Sequence, residues 1–324
     1  MKNLTPFDGQ HCETTATGTL LNHLGIELSE PMLFGLGQGL SFIYWKMKTM
    51  DFPFLGGRIK TDLLTQHICK NLGLDLSVHE TSSKTKAWQA VRQLLDEGQP
   101  VGLKLDAYYL EYFTKPFHFA GHYVAMYDYD DDHAYLVDTR QQGGSVQTSL
   151  ASLALARAEK GPMSSKNLYY TIAGNSENVD LKQAVIAAVV ANAKEYLAPP
   201  INNISYRGIL KTSEEVIKWY KTSQAIESEF KMAADFMEKA GTGGALFRNL
   251  YRDFIRESYD LLGIKQLEVV HHEFVQIALL WTSLSELFNQ IAETASFDAV
   301  QQASAIFKTL ATKEKNAMEI LASL

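Results

Sequence analysis

Gly121-His122-Tyr123-Val124-Ala125-Met126-Tyr127 and, a few residues on, Asp132-His133-Ala134-Tyr135-Leu136-Val137-Asp138 decide how this chain is read. Each stretch is short, rich in β-branched and aromatic residues and bounded by turn formers, which is the pattern of a strand. The acidic run from Asp128 to Asp132 between them suits a solvated turn better than a metal site. Two strands joined in this way form a hairpin, and the start of the first then lies beside the end of the second. His122 and Asp138 become neighbours. A carboxylate in that place fixes the tautomer of the imidazole and stabilises its protonated form.

Upstream, Val101 to Leu105 reads as another strand, and residues 168–172 downstream as a last one. Helical spacing fits residues 13–24, where Ala16, Leu20, Leu21 and Leu24 recur and Gly25 supplies a stop. It also fits residues 61–72 and a helix capped by Ser83 that runs to Leu95. Phe34-Gly35-Leu36-Gly37-Gln38-Gly39 reads as a loop because of its glycines, and Gln141-Gln142-Gly143-Gly144-Ser145 as a turn. After Gly174 the strand patterns stop. Residues 180–197 form a helix closed by Pro199-Pro200, and Thr212 or Ser213 caps a long helix toward Ala240. Gly241-Thr242-Gly243-Gly244 interrupts it before helices at 245–262, 266–291 and 297–321. The expected fold is α+β over residues 1–175, followed by an all-α domain over residues 176–324.

Cys12 falls at the start of the first helix. Unpaired N–H groups and the helix dipole at such a position favour a thiolate and can hold an oxyanion formed beside the sulfur. The same position also suits a small buried thiol, so position alone leaves both readings open. A cysteine at a helix start, followed by a histidine and an acid on adjacent strands, has the chain order of papain-like enzymes. In that order Cys12 is the nucleophile, His122 the base and Asp138 the orienting acid, with the cysteine-bearing helix packed on an antiparallel sheet.

Further candidates surround this row. His11 adjoins the nucleophile. His118 lies four residues before His122 in a segment rich in aromatics. His11, Tyr108, Tyr109 and His118 are candidates for substrate contact, with core packing the plain alternative for the aromatic rings. Arg248, Arg252 and Arg256 recur every four residues on one helix. Arg248 and Arg252 are candidates to receive a phosphate or an acidic partner, against the alternative of salt bridges to Asp253, Glu257 or Asp260. Cys69 reads as a core thiol. His271-His272-Glu273 lacks the spacing of a zinc helix and no HExxH or paired CxxC occurs, so no metal site is expected.

Composition narrows the setting. A net charge of −7 argues against nucleic acid as the main partner, because phosphate binding needs a basic surface. Two cysteines are too few for a disulfide framework and fit a reducing cytoplasm. Met1 to Gln10 lacks the apolar core of a signal peptide, and the longest apolar stretch, around Ala184 to Val190, is too short to span a bilayer. No membrane partner is expected, and the cytoplasm is the expected location.

Phe7-Asp8-Gly9-Gln10-His11-Cys12-Glu13-Thr14-Thr15, and then Leu28-Ser29-Glu30-Pro31-Met32-Leu33-Phe34-Gly35-Leu36-Gly37, resemble the N-terminal domain of the butirosin biosynthesis protein H family. Lys104-Leu105-Asp106-Ala107-Tyr108-Tyr109, leading to His118-Phe119-Ala120-Gly121-His122, fits the same pattern. Gly241-Thr242-Gly243-Gly244-Ala245-Leu246-Phe247-Arg248-Asn249-Leu250-Tyr251 resembles the uncharacterised helical domain that commonly follows it. The resemblance implies a papain-like acyltransferase. Such an enzyme moves an aminoacyl group from the phosphopantetheine thioester of a carrier protein to an amine of an aminoglycoside. The partners implied are an acyl carrier protein or another acyl thioester and a small-molecule amine. No resident cofactor is implied beyond the phosphopantetheine arm of the donor, and a homodimer stays open.

In related peptidases a glutamine several residues before the cysteine often completes the oxyanion hole. Here Gln10, two residues before Cys12, fills that role, or a backbone N–H does so alone. The helical domain is then a lid, an acceptor-binding wall or a carrier-protein contact. Two other readings use the same residues. One is a hydrolase (peptidase, amidase or thioesterase) in which water replaces the amine. The other is a non-catalytic binding module.

Overall fold

The computed structural model describes residues 4–48, 50–161 and 164–324. Its contacts divide the chain into two units, Met1–Leu33 with Thr61–Asp180 and Phe34–Lys60 with Leu181–Leu324. In chain order the elements begin with α1 (Cys12–His23), α2 (Glu30–Leu36), β1 (Leu40–Trp45), β2 (Phe54–Arg58), α3 (Leu63–Leu72), β3 (Asp75–His79) and α4 (Lys84–Asp96). There follow β4 (Val101–Leu105), β5 (His122–Tyr129), β6 (His133–Val137), β7 (Ser145–Ser149), α5 (Leu150–Ala158) and β8 (Tyr169–Ala173). The remainder is helical: α6 (Leu181–Leu197), α7 (Ser205–Thr222), α8 (Ile226–Glu238), α9 (Arg248–Leu262), α10 (Lys265–Thr294) and α11 (Phe297–Ala322).

The first unit is α+β. Its six-stranded antiparallel sheet has the order β3-β8-β4-β5-β6-β7. The middle strand β4 is buried along its whole length, because both faces of the sheet are covered. Val101, Leu103, Leu105, Val124, Met126 and Leu136 join Val91 and Leu95 of α4 and Leu153 and Ala156 of α5 in one core. Burial of each such side chain is worth about 1.5–3 kcal/mol. On the alternate positions the sheet meets α1, which packs along β5. Gly102 is required there, since a Cβ would run into the Tyr170 ring. The Tyr170 hydroxyl in turn pairs with Thr17 of α1 at 3.1 Å. The far end of α1, at His23 and Leu24, lines a pocket with Gln99 and Pro100 just before β4. Its near end, at Cys12, is thereby directed to where β4 finishes and β5 begins.

The acidic run does form the turn of the β5–β6 hairpin. Asp130 Oδ1 accepts from the backbone N–H of Asp132 at 2.8 Å and of His133 at 2.7 Å, a side chain standing in for a backbone turn.

The second unit combines the β1–β2 hairpin with α6 to α11. At its centre Arg248 and Glu314, both fully buried, form a two-pronged pair at 2.9 Å for each prong. Trp281 Nε1 donates to the same carboxylate at 2.7 Å, and the Tyr196 hydroxyl also donates to it. Arg248 further donates to the carbonyls of Leu246 at 2.8 Å and Gly57 at 3.3 Å, tying the hairpin to the helices. Among the described residues no helix is long and apolar enough to cross a membrane.

Several expectations need correction. The run 34–39 is not simply a loop, because α2 continues to Leu36. Gly35 is there for close packing, as a Cβ would collide with the Phe254 ring. Thr212 and Ser213 do not cap a helix. They lie buried inside α7 and bond back to the carbonyls of Gly208 and Leu210. The long helix toward Ala240 is two helices, α7 and α8, broken at residues 223–225. The sequence reading also placed residues 34–60 in the first domain, whereas their contacts group them with the helical unit. The strands β1, β2, β3 and β7 and the helix α5 carried no expectation.

Breaking a buried ion pair strands one charge and typically costs about 3–5 kcal/mol. Glu314→Ala is therefore expected to lower the urea midpoint of the whole protein sharply. Arg248→Met combined with Glu314→Leu should recover most of that loss, and a double variant as weak as the single one would contradict the account.

Candidate functional site

Antiparallel register pairs Ala125 with Val137 and Met126 with Leu136, while Leu105 of β4 pairs with His122. His122 at the start of β5 thus lies diagonally across from Asp138, the residue just past β6, within reach of a long side chain. His122 Nε2 is 2.8 Å from Asp138 Oδ2. The Cys12 thiol lies near the same imidazole, close enough to help raise its pKa. With Nε2 engaged by Asp138, Nδ1 is the ring nitrogen left for the sulfur. Three residues far apart in sequence therefore form one row, Cys12–His122–Asp138, within the first unit.

Asp138 has no exposed surface. A carboxylate in that position needs donors, and it has three. Besides His122, the Tyr112 hydroxyl donates to Oδ2 at 2.8 Å and the Thr139 N–H to Oδ1 at 2.6 Å. Burial opposes charge on His122, but the Asp138 carboxylate outweighs it. With a smaller contribution from Cys12, the histidine is pushed up from 6.5 to about 10. Burial and the neighbouring Asp138 push the Tyr112 phenol well above its ordinary value, so it stays a donor. Phe113 meets the His122 ring edge to face at 5.4 Å.

The start of α1 is tied down by a residue the sequence reading did not single out. The Glu30 carboxylate accepts from the N–H of Gln10 (2.9 Å to each oxygen), the N–H of His11 (2.8 Å) and the Thr14 hydroxyl (2.8 Å). It complements the helix dipole and fixes the backbone one residue before the sulfur. Cys12 itself retains 9 % exposure at the head of the helix, with His122 at 7 %. Cys69, by contrast, is sealed in the core at 1 %, and burial pushes its thiol up to about 12.

The remaining candidates separate. His11 precedes α1 and is buried, its carbonyl accepting from the Thr14 and Thr15 hydroxyls. The Gln10 side chain is exposed. Tyr108 is exposed and stacks on His118 at 3.9 Å, while the Tyr109 hydroxyl donates to Glu159 at 2.7 Å. The arginine stripe does not exist as an open basic face. Arg248 is in the core of the second unit, Arg252 is held by Asp253 and Asn249, and Arg256 pairs with Asp260. Helical spacing puts the three on one side, but a turn of α9 near its start faces inward. Tyr112 belongs to the aromatic segment expected to line the cleft, but its bond to Asp138 and the role of Glu30 are not visible in the sequence, because they depend on contacts 26 and up to 20 residues away. The signal for Glu30 was its place in the stretch before Pro31, a residue that suits the start of a helix. Among the described residues there is no cluster of three or more His, Cys, Asp or Glu able to hold a metal ion.

An α+β unit with a buried Cys–His–Asp row, followed by a helical region, defines the class of this chain. The family model "Butirosin biosynthesis protein H, N-terminal" matches residues 11–139, which include the whole row. The model "Domain of unknown function (DUF4872)" matches residues 151–321. The chain belongs to the butirosin biosynthesis protein H family, its N-terminal domain followed by this second domain. The family is named for the biosynthesis of a secondary metabolite. No curated protein matches the chain.

A histidine raised to about 10 from 6.5 stabilises the fold fully below about pH 6.5, and that contribution is lost as pH rises through 10. Asp138→Asn should bring the His122 NMR titration down by several units and flatten this alkaline loss. A titration unchanged in the variant would rule out Asp138 as its cause.

Proposed function

We propose that the protein is a papain-like, cysteine-dependent acyltransferase. It takes an acyl or aminoacyl group from a thioester, carried on an acyl carrier protein, and passes it to a small-molecule amine. The observation that carries this reading is that one buried imidazole, His122, is 2.8 Å from the buried Asp138 carboxylate and has the Cys12 thiol as its other neighbour.

Cys12 attacks as the thiolate, its proton residing on His122. The C–S bond to the enzyme forms, and the donor thiol leaves with the proton of His122. The first N–H groups of α1 are proposed to stabilise the developing oxyanion, with the Gln10 side chain, two residues before Cys12, proposed to assist. Asp138 and Tyr112 hold the imidazole in one orientation throughout, which is worth more to the rate than to ground-state binding. An incoming amine then replaces the sulfur. Splitting the transfer into two steps through an acyl-enzyme replaces one hard step by two easier ones. The thioester comes with the donor, so the protein needs no cofactor of its own. Tyr108, Tyr109 and His118 are proposed to contact the acceptor, and the helical unit to contact the carrier protein. A free thiol nucleophile suits the reducing conditions of the cytoplasm.

Intact-mass analysis after incubation with acyl-thioester donors tests the reading. An adduct of the acyl mass is expected on wild-type protein and absent from Cys12→Ala, which should lose activity by about 10³-fold or more. Amide product in the presence of amines supports a transferase. Free acid as the sole product would assign the chain to the hydrolases, and absence of any adduct would remove the mechanism.

A further inference from the structure

Conversion of an amine into an amide has a proton balance that the Cys12–His122–Asp138 row cannot complete alone. At neutral pH an alkylamine arrives as R–NH₃⁺, and the amide nitrogen it becomes carries one hydrogen. Two protons must leave. After the donor thiol departs with its proton, His122 is neutral and can accept one. It does so as the Cys12–acyl bond breaks, which restores the starting pair. The other proton must leave before the nitrogen lone pair can attack.

A second histidine–carboxylate pair stands at the same end of the sheet. His118 Nδ1 is 2.9 Å from Asp106 Oδ2, yet 60 % of the His118 side chain is exposed. Asp106 is 2 % exposed and is the residue directly after Leu105, the register partner of His122. Its other oxygen, Oδ1, accepts from the N–H of Phe119 at 2.9 Å and of Tyr108 at 3.0 Å. The carboxylate is thus fixed by the backbone, and it in turn fixes the imidazole. The Tyr108 ring stacks on the imidazole with 13° between planes. With Nδ1 engaged, Nε2 is the nitrogen left for solvent or a ligand. The pair therefore repeats the orienting logic of His122–Asp138, with an open ring where the first is mostly buried. Phe113 lies against the His122 ring, and Phe117, the residue before His118, is 6.3 Å from Phe113.

We propose that His118, oriented by Asp106, is the base that takes the first proton from the acceptor ammonium, which makes a protonated primary amine the acceptor form this site receives. The step rests on the acyl-transfer reading above. It is balanced as follows. R–NH₃⁺ gives a proton to His118 Nε2, and R–NH₂ attacks the acyl carbon of acyl-Cys12. The C–N bond forms and the C–S bond breaks, with the second proton passing to His122. His118 then releases its proton to water.

The test uses full-length protein acylated beforehand with S-acetyl-N-acetylcysteamine, in wild-type and His118→Gln forms. Decay of the acetyl-enzyme is followed at neutral pH with ethanolamine, which is protonated there, and with hydroxylamine, which is largely not. His118→Gln should slow transfer to ethanolamine by about 10²-fold, the usual reach of one acid–base group, and transfer to hydroxylamine by less than about 3-fold. Added imidazole should restore part of the ethanolamine rate in His118→Ala, since the site is open. Equal slowing of both amines, or no slowing of either, would overturn the role of His118 while leaving acyl transfer intact. No acetyl adduct on wild-type Cys12 would instead overturn the acyl-transfer reading itself.

Discussion

The site depends on a carboxylate with no solvent. Asp138 is completely buried at the end of β6, where an unsatisfied charge would be costly to the fold. Each of its donors is therefore a structural requirement as well as a chemical one. Thr139 supplies a backbone N–H that cannot be moved without moving the strand end. Tyr112 supplies a hydroxyl from the connection between β4 and β5, and His122 supplies the imidazole. Satisfying the carboxylate sets the plane of the His122 ring, and the ring plane sets where a sulfur must be. The geometry of the row follows from a demand that the interior of the sheet makes on its own polar group.

The sulfur meets that demand because α1 is fixed at both ends. Thr14, Thr15, Thr17 and Thr19 are all buried, so this helix is held by hydroxyl contacts as well as by its apolar side chains. Glu30 closes the loop before Cys12 with four hydrogen bonds. A helix anchored in this way has little freedom left to lose, which favours precise placement of the Cys12 sulfur.

The hairpin and its two ends were legible because both signals are local. Alternation and turn residues mark β5 and β6, and antiparallel geometry does the rest. The same holds for Ser83, which caps α4 as its sequence context suggests. What stayed hidden depends on distant partners. The strands β1 and β2 contain glycines and an exposed rim, and their pairing is fixed by contacts within the helical unit. Gly35 resembled a loop residue because composition cannot distinguish a flexible glycine from one that makes room for Phe254. Arg248 looked like a surface cation, since no local feature announces Glu314, 66 residues away. The exposed partner pairs of Arg252 and Arg256 were the ordinary alternative for such a row.

The two family matches and the two units do not divide the chain at the same places. The second match begins at residue 151, yet α5 and β8 within it belong to the first unit, and β8 lies between β3 and β4 in the sheet. Residues 34–60, inside the first match, belong to the second unit. Each half of the gene thus lends a piece to the other's core. Neither half can be cut away or exchanged for a relative's without leaving an unfilled gap in one body and an orphaned apolar segment in the other. A swap of either half would keep both cores filled only if each lent piece travelled with its host.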